Sequence, residues 1–254
     1  MVRPPRWIET KKPHGMLHAT ISSWKYFDDY IRDKMLDYKV YVWRGQRNSD
    51  WLVETTLDRF LKTKPKKHRK KITELHLEAF QKASRGRRGS NPPKLIKDKD
   101  WWSLGQHHGL MTPLLDWTFS PFVAAYFSYF GTGKSQTTQR AIYGLSRNLD
   151  HIKLKRKDKA IKFIQPMSDE NPRLVNQGGI FSKAPIGVDI ESWLVQYAPK
   201  DERFFDLIKI TIPNKDRILA LRSLNRMNIN HLSLFPDLFG SSIFCNTNLE
   251  IDNY

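Results

Sequence analysis

Cysteine is almost absent from this chain, since Cys245 is the only one among 254 residues. A lone cysteine excludes an internal disulfide and a thiolate-rich zinc cluster. Long apolar runs are also missing, because the run at residues 119–130 contains polar residues and is shorter than the roughly 20 residues of a membrane span. The basic N-terminus is not followed by an apolar stretch of the secretory kind. We therefore expect a cytoplasmic protein without a membrane partner.

Acidic side chains are few, because 26 aspartate and glutamate residues stand against 43 lysine and arginine residues, for a formal net charge of +17. The basic excess is concentrated in residues 62–71, 85–88 and 147–162. Such clusters can neutralise phosphate groups, so we expect binding of RNA or DNA through basic loops. The same clusters are typical of solvated surfaces without a ligand. Both interpretations stay open at the level of the sequence.

Hydrophobic residues make up 39% of the chain, which is enough to fill a core of useful size. Residues 1–19 carry prolines and lysines without clear periodicity, and we predict an irregular N-terminal segment there. Residues 20–254 are predicted to form a single domain with basic insertions near residues 61–99 and 147–162.

Helical and strand periodicities alternate along the predicted domain, which indicates an α+β fold. Helices are predicted at residues 22–39, 72–82 and 215–227. A further helix is predicted to begin at Pro121, because Ser120 can cap its first turn. Strands are predicted at residues 40–43, 114–115, 141–145, 178–181, 193–197 and 205–212.

Three polar residues beside these elements are candidates for chemistry. Arg44 follows the first predicted strand of the domain, where a guanidinium can bind a phosphate or pair with a carboxylate. Asp116 lies between two apolar residues, and its carboxylate needs a partner there. It can cap the helix that begins near Ser120, pair with an arginine, or orient the histidine or the hydroxyl groups of a ligand. His107 is predicted in a loop, as a general base, a positioning residue or a structural hydrogen-bond partner. No metal site is expected, because acidic or cysteine ligands at suitable spacing are missing.

Four segments of the chain resemble the motifs of the FRG family, which is named for a phenylalanine-arginine-glycine motif. The first is Tyr41-Val-Trp-Arg-Gly, followed by a tryptophan at position 51. The second and most specific runs from Trp101 to Phe127 and contains the sequence Gln-His-His-Gly. The third and fourth are residues 171–181 and 234–240. Residues 41–242 therefore resemble one FRG-type domain.

The resemblance implies an ADP-ribosyltransferase-like fold, with a mixed or split antiparallel sheet and flanking helices. It implies an NAD-dependent ADP-ribosyltransferase, in which NAD is consumed as a substrate. Residues implied to bind NAD are Arg44, Gly45, Gln106, Trp117, Thr118 and Phe181. Within this set, Arg44 and Gly45 would hold the phosphates or ribose, and Trp117 and Thr118 would lie near the nicotinamide.

Gln177 stands where many such transferases carry a catalytic glutamate. A glutamine cannot act as a general base, so the resemblance implies that this work falls to His107 or Asp116. The predicted catalytic group is therefore Arg44, His107, Asp116 and Gln177, converging on one cleft.

The resemblance and the charge together suggest a bacterial toxin or antiphage effector that acts on nucleic acid. An antitoxin or another regulatory protein is an expected class of partner. Two other functions stay open. One is a non-catalytic nucleic-acid-binding domain, and the other, with less support, is a nuclease that uses Asp116 and His107.

Overall fold

A mixed eight-stranded sheet forms the centre of the computed structural model, which describes residues 5–131, 137–165, 172–200 and 204–254. Its strands are β1 (Trp7–Lys12), β2 (Met16–Ile21), β3 (Tyr41–Gln46), β4 (Leu115–Thr118), β5 (Gln139–Ser146), β6 (Lys162–Ile164), β7 (Gly179–Lys183) and β8 (Leu207–Pro213). The strand order is β1-β2-β8-β5-β3-β4-β7-β6. Among the strands that the structure describes, only β2 and β8 run parallel, and every other neighbouring pair is antiparallel.

Helices flank this sheet. They are α1 (Phe27–Lys34), α2 (Thr56–Leu61), α3 (Lys66–Ala83), α4 (Asp98–His107), α5 (Pro121–Tyr129), α6 (Pro172–Asn176), α7 (Ile190–Tyr197), α8 (Arg217–Arg226), α9 (His231–Leu234) and α10 (Leu238–Glu250). The predicted α+β class, with a mixed sheet and flanking helices, is thereby confirmed. None of the described helices is both long and apolar enough to cross a membrane.

Apolar side chains from both faces of the sheet are buried. On one face, α1, α5 and α8 enclose a core that contains Tyr41 and Trp43 of β3. On the other face, α7 packs against a core that contains Val42 of the same strand. A third core joins α2, α3 and α4 to Phe181 of β7. The alternation of side chains along β3 thus fixes which residues of that strand face each layer.

The link between β3 and β4 is unusually short. A single residue pair, Trp43 with Thr118, joins these strands. By contrast, β4 pairs along its whole length with β7, and β3 does so with β5. The sheet therefore consists of a five-stranded part, which ends at β3, and a three-stranded part, which begins at β4. The two parts separate on one side of the pair formed by Trp43 and Thr118. The gap between them positions the site described below.

The prediction of an irregular N-terminal segment at residues 1–19 is wrong for the hairpin of β1 and β2. These strands are joined by a turn in which His14 and Gly15 both have positive φ angles, 62° and 67°. Strands are predicted from alternating apolar and polar residues. Because β1 is an edge strand with largely exposed side chains, it lacks this alternation and was not recognised as a strand. Residues 1–4 lie outside the described residues.

The predicted strand at residues 193–197 is also wrong, because these residues belong to α7. The carboxylate of Asp189 caps this helix by accepting a hydrogen bond from Ser192 N at 2.9 Å. The apolar run at 193–197 suggested a strand, but Ile190, Trp193 and Leu194 are buried at helical spacing. The cap was the signal that the sequence prediction missed.

The basic insertion near residues 61–99 is partly helical. Its first basic cluster extends α3 back to Lys66, whereas residues 84–97 form the connection to α4. His107, predicted in a loop, is the last residue of α4. The helix stops there because Gly109 adopts a φ of 82°, which glycine accommodates without strain.

Candidate functional site

A cavity of about 290 Å³ opens where β3 and β4 separate. Its lining includes Arg44, Gly45, Asp116, Trp117, Thr118 and Gln177. An adjoining cavity of about 150 Å³ shares two of these residues, and its lining includes Gln106, His107, Asp116, Arg173, Gln177 and Phe181. We call the two cavities together the cleft. Every residue that the sequence predicted for the site lines one cavity or the other, although their roles remain predictions.

Arg44 lies in the gap between the two parts of the sheet. If the pairing of Trp43 with Thr118 continued, Gly45 would stand opposite Asp116. The strands separate instead, and Arg44 Nη1 donates a hydrogen bond to the Asp116 carbonyl oxygen at 2.9 Å. The same nitrogen is 3.9 Å from Asp116 Oδ2. The guanidinium therefore binds a backbone group that a continuous sheet would pair with its neighbour strand.

The guanidinium of Arg44 is incompletely satisfied. Its side chain is 24% exposed, and its Nε is buried without a hydrogen-bond partner. Burial lowers the pKa of Arg44, and the nearby Asp116 carboxylate opposes this effect only in part. Because arginine stays charged in proteins, a cation with spare hydrogen-bond capacity faces the cavity. An anion bound there would relieve this cost.

Gly45 lies within β3, which continues to Gln46, and it has no positive φ angle. Its importance is steric. A Cβ atom at this position would overlap the carbonyl oxygen of Ala124 and lie 2.6 Å from Ser128 N. The missing side chain thus allows the backbone of α5 to pack directly on β3, next to the cavity.

Asp116 is more exposed than its apolar neighbours suggest, with 59% of its side chain accessible. Gln106 Nε2 donates a hydrogen bond to Asp116 Oδ2 at 2.8 Å. The Gln106 side-chain oxygen in turn accepts a hydrogen bond from the Thr112 hydroxyl. Gln106, predicted to bind NAD directly, therefore orients the Asp116 carboxylate in this structure. The alternative that Asp116 caps α5 is excluded, because Ser120 occupies that position.

Gln177 is held in place by two hydrogen bonds. Its carbonyl oxygen accepts one from Thr118 Oγ1 at 2.6 Å, and its Nε2 donates one to the Leu234 carbonyl oxygen at 3.2 Å. These bonds connect β4 to the segment before β7, and that segment to α9. Gln177 is thereby fixed at the junction of the two cavities.

Two aromatic residues predicted to bind NAD are core residues by their side chains. Trp117 is 3% exposed, and its Nε1 donates a hydrogen bond to Ser182 Oγ at 2.8 Å. Phe181 is 1% exposed and belongs to the core between α2, α3 and α4. Both residues shape the walls of the cleft, and neither presents a broad aromatic face to it.

The sequence prediction missed an ion pair at the rim of the smaller cavity. Arg173 donates hydrogen bonds from Nε and Nη2 to Asp237 Oδ2, at 2.7 and 2.5 Å. A hydrogen bond from Gly240 N and the Arg173 charge lower the pKa of Asp237. The signal was present, because Arg173 and Asp237 lie in the third and fourth motifs. The pair joins these two motifs beside the cleft.

Histidines at the end of α4 border the cleft. His107 lines the smaller cavity, and its ring packs edge-to-face on that of His108, with the centroids 4.8 Å apart. Among the residues that the structure describes, no group of three histidine, cysteine, aspartate or glutamate side chains could hold a metal ion.

His231 lies behind the cleft and is 2% exposed. Its ring stacks on Phe235 with the centroids 4.2 Å apart. The Tyr126 hydroxyl is 2.7 Å from His231 Nδ1, so a neutral imidazole can accept its hydrogen bond. Burial first, and then the charge of Arg173, lower the pKa of His231 to about 4, and Asp237 opposes the shift.

This shift predicts a pH-dependent stability. Between the ordinary pKa of 6.5 and the folded value of about 4, the unfolded chain binds a proton at His231 that the folded chain rejects. The free energy of unfolding should therefore fall as the pH decreases through this interval, by about 2–3 kcal/mol from His231 alone. Urea titrations of wild type and His231→Gln at several pH values measure the effect. The variant should have a flatter profile, and parallel profiles would contradict the assignment.

A larger hollow of about 1,100 Å³ lies near the start of β3. Its lining includes Tyr41 and the pair His151 and Asp206, whose Nε2 and Oδ2 atoms are 3.1 Å apart. Glu9 on the same wall accepts a hydrogen bond from Tyr30 at 3.0 Å. These carboxylates already have partners in the fold, and none of the residues predicted for the site lies there. The cleft is therefore the stronger candidate.

These features define an α+β protein with a polar cleft between two parts of a mixed sheet. Residues 39–137 match the family model of the FRG domain, and this match supports the FRG family for the chain. The matched residues run from the start of β3 past α5, so they include Arg44, His107 and Asp116, whereas Gln177 lies beyond them. No curated protein and no solved structure matches the chain.

Proposed function

We propose that this protein is an NAD-dependent ADP-ribosyltransferase that uses nucleic acid as its acceptor. The observation that supports the proposal most is the state of Arg44. Its mostly buried guanidinium has an unpartnered Nε and faces a cavity between two separating strands. A pyrophosphate would supply the negative charge and the hydrogen-bond acceptors that this group lacks.

The shape of the cleft agrees with a dinucleotide bound in an extended form. The cavity of about 290 Å³ is near the lower limit for small-molecule sites, so it suits the nicotinamide and its ribose better than the whole molecule. The pyrophosphate would then pass Arg44 at the gap. The single pair that joins β3 and β4 supports a split-sheet arrangement of the ADP-ribosyltransferase type.

The chemistry requires little from the protein. The bond between the nicotinamide nitrogen and ribose C1′ breaks, and the electron pair leaves with neutral nicotinamide. The ribose carries the positive charge until an acceptor oxygen or nitrogen forms the new bond to C1′. The Asp116 carboxylate, oriented by Gln106, would stabilise the cation-like state.

The acceptor must lose a proton as the new bond forms. Gln177 cannot take this proton, because an amide side chain is not a base at neutral pH. His107 and Asp116 both line the smaller cavity and are the candidates for this role. Such an activity would suit a toxin or antiphage effector, and the producing cell would then need a regulatory partner such as an antitoxin.

The proposal predicts a measurable effect of removing one charge in the cleft. Because Asp116 is partly exposed, its charge should stabilise the transition state by about 2 kcal/mol, and Asp116→Asn should slow nicotinamide release about 30-fold. Purified protein, NAD labelled in the adenosine half, and RNA or DNA are incubated together. Released nicotinamide and acid-stable label on the nucleic acid are then measured.

Asp252→Asn is the matched control, because Asp252 is an exposed aspartate outside the cleft. It should leave both rates within about twofold of wild type, as expected for a surface change. Absence of nicotinamide release with every acceptor would contradict the proposal and favour the non-catalytic binding domain. Degradation of the nucleic acid only in the presence of a divalent ion would instead favour the nuclease.

A further inference from the structure

A second hollow of about 780 Å³ lies between the end of α3, the connection at residues 84–97 and α4. Its lining includes Phe80, Arg87, Arg88, Leu104 and His108. We call this hollow the basic groove. It combines an apolar floor with positively charged walls, and it lies outside the cleft.

The charged residues in the segment that borders the basic groove are all basic. Residues 79–97 contain six lysine and arginine side chains and no aspartate or glutamate. Arg87 Nη1 donates a hydrogen bond to the Ala83 carbonyl oxygen at 3.0 Å, and Arg88 Nη2 donates one to the Pro93 carbonyl oxygen at 2.7 Å. Carbonyl oxygens hold the Arg87 and Arg88 side chains in position through these bonds. The basic excess of residues 79–97 gives the groove a positive potential that attracts phosphate groups.

The Phe80 ring lines the same hollow. Phe80 is half-buried, and its ring packs edge-to-face on Trp101 with the centroids 6.4 Å apart. The Arg88 guanidinium lies 5.2 Å from the centroid of the Trp101 ring. An aromatic ring beside guanidinium groups is the combination that binds unstacked bases and their phosphates. A hollow of this volume can hold a nucleotide or two, and a double helix is too wide to enter it.

The basic groove borders the cleft through adjacent residues. His108 lines the groove, His107 lines the smaller cavity of the cleft, and their rings are in contact. A strand bound in the groove would therefore pass the end of α4 and enter the region of His107 and Asp116. A separate basic cluster lies on the first turns of α3, where Lys70 pairs with Glu74 at 3.9 Å.

We infer that the basic groove binds single-stranded nucleic acid and presents it as the acceptor to the cleft. Arg87, Arg88 and His108 would contact phosphates, and Phe80 would stack on a base. The inference rests on the proposed function only in treating the nucleic acid as an acceptor, because binding itself can be tested without NAD. RNA and DNA share the chemistry that the groove recognises, so the experiment includes both.

The test measures binding of fluorescein-labelled single-stranded RNA and DNA of the same sequence, and of the corresponding duplex, by fluorescence anisotropy. The double variant Arg87→Glu and Arg88→Glu should weaken single-strand binding about tenfold to a hundredfold at low salt, because two phosphate contacts become repulsive. The control pair, Lys153→Glu and Lys155→Glu, makes the same charge change at exposed residues of another basic segment. It should change Kd by no more than about threefold, since its effect is only long-range and screened.

A second variant guards against loss of folding. Arg87→Gln with His108→Gln removes the contacts without charge reversal, and its thermal unfolding is compared with that of wild type. Both groove variants should also raise the KM for the nucleic-acid acceptor more than the KM for NAD. This comparison separates a groove that positions the acceptor from a general structural defect.

The outcomes are distinguishable. Equal weakening by the groove and control pairs would overturn the inference, because binding would then depend on total charge. Wild-type affinity in both groove variants, or tighter binding of the duplex than of single strands, would overturn it as well. If wild type released no nicotinamide from NAD, the proposed function would fail, but the anisotropy data would still decide whether the groove binds nucleic acid. Preference for RNA or for DNA would identify the class of acceptor.

Discussion

If the proposed function is correct, substituting Arg44 by methionine is expected to reduce NAD cleavage about 100-fold to 1,000-fold, the range seen when one preorganised charge-stabilising donor is removed. The free energy of unfolding of the Arg44→Met variant should differ from that of wild type by less than about 1 kcal/mol. The lost hydrogen bond to Asp116 is offset by removal of a poorly satisfied buried charge. Nicotinamide release and urea denaturation of the same preparation measure the two effects. A large loss of activity without loss of stability would mark Arg44 as a residue kept for ligand binding.

Arg222→Met is the control for this substitution, since Arg222 is an exposed arginine on α8, outside the residues that line the cleft. It should leave both activity and stability close to wild type. If Arg44→Met unfolds the protein, then the guanidinium serves mainly to join the two parts of the sheet. If Arg44→Met retains full activity, the assignment of the pyrophosphate to this residue is wrong.

Gly45→Ala is expected to have the largest effect on stability, about 3 kcal/mol or more, or to prevent folding, because overpacking against backbone cannot be relieved by side-chain movement. The new methyl group would meet the Ala124 carbonyl oxygen and Ser128 N, so α5 would have to move away from β3. For a chain of this size, such a loss corresponds to a decrease of roughly 6–12 °C in Tm. Thermal denaturation followed by circular dichroism measures the change.

Comparison of Gly45→Ala with Gly86→Ala distinguishes two reasons for which a glycine can be needed, which are a positive φ angle and a lack of space for a side chain. Gly86 has a φ of 69° but open space around it, whereas Gly45 has an ordinary strand conformation and no space. The Gly86 variant should lose only about 1 kcal/mol, from backbone strain alone. If the two variants lose equal stability, the close contact of α5 with β3 is not the reason for the glycine.

Local signals allowed a substantial part of the fold to be predicted from the sequence. The helix that begins at Pro121 was predicted from Ser120, whose hydroxyl accepts a hydrogen bond from Val123 N at 3.3 Å. The strand that leads to Arg44 was predicted from its aromatic and β-branched residues. In both cases the residues that specify the element lie within the element itself.

Elements that depend on distant partners were missed. The edge strand β1 is held by β2, and β2 pairs with β8 from the other end of the domain. An exposed edge strand carries little periodicity of its own, so only its partners reveal it. The separation of β3 from β4 likewise depends on how two parts of the sheet pack, and no short segment encodes it.

The composition of the site was better predicted than its geometry. The motifs identified residues that line a common cleft, and Arg44, Asp116 and Phe181 among them lie within the strands that border it. The sequence could not show that Gln106 contacts Asp116 while Thr112 fixes Gln106, since that network requires the end of α4 to approach β4. It also could not show that Arg173 binds Asp237 across 64 positions of the chain.

The parallel pairing of β2 with β8 determines when the sheet can be completed during protein synthesis. Met16 must find Leu207, which leaves the ribosome about 190 residues later, so the N-terminal hairpin emerges long before its neighbour exists. Until then the hairpin exposes an unpaired strand edge, which is prone to association with other chains. Nascent chains in which β8, ending at Pro213, has not yet emerged should therefore depend on chaperones.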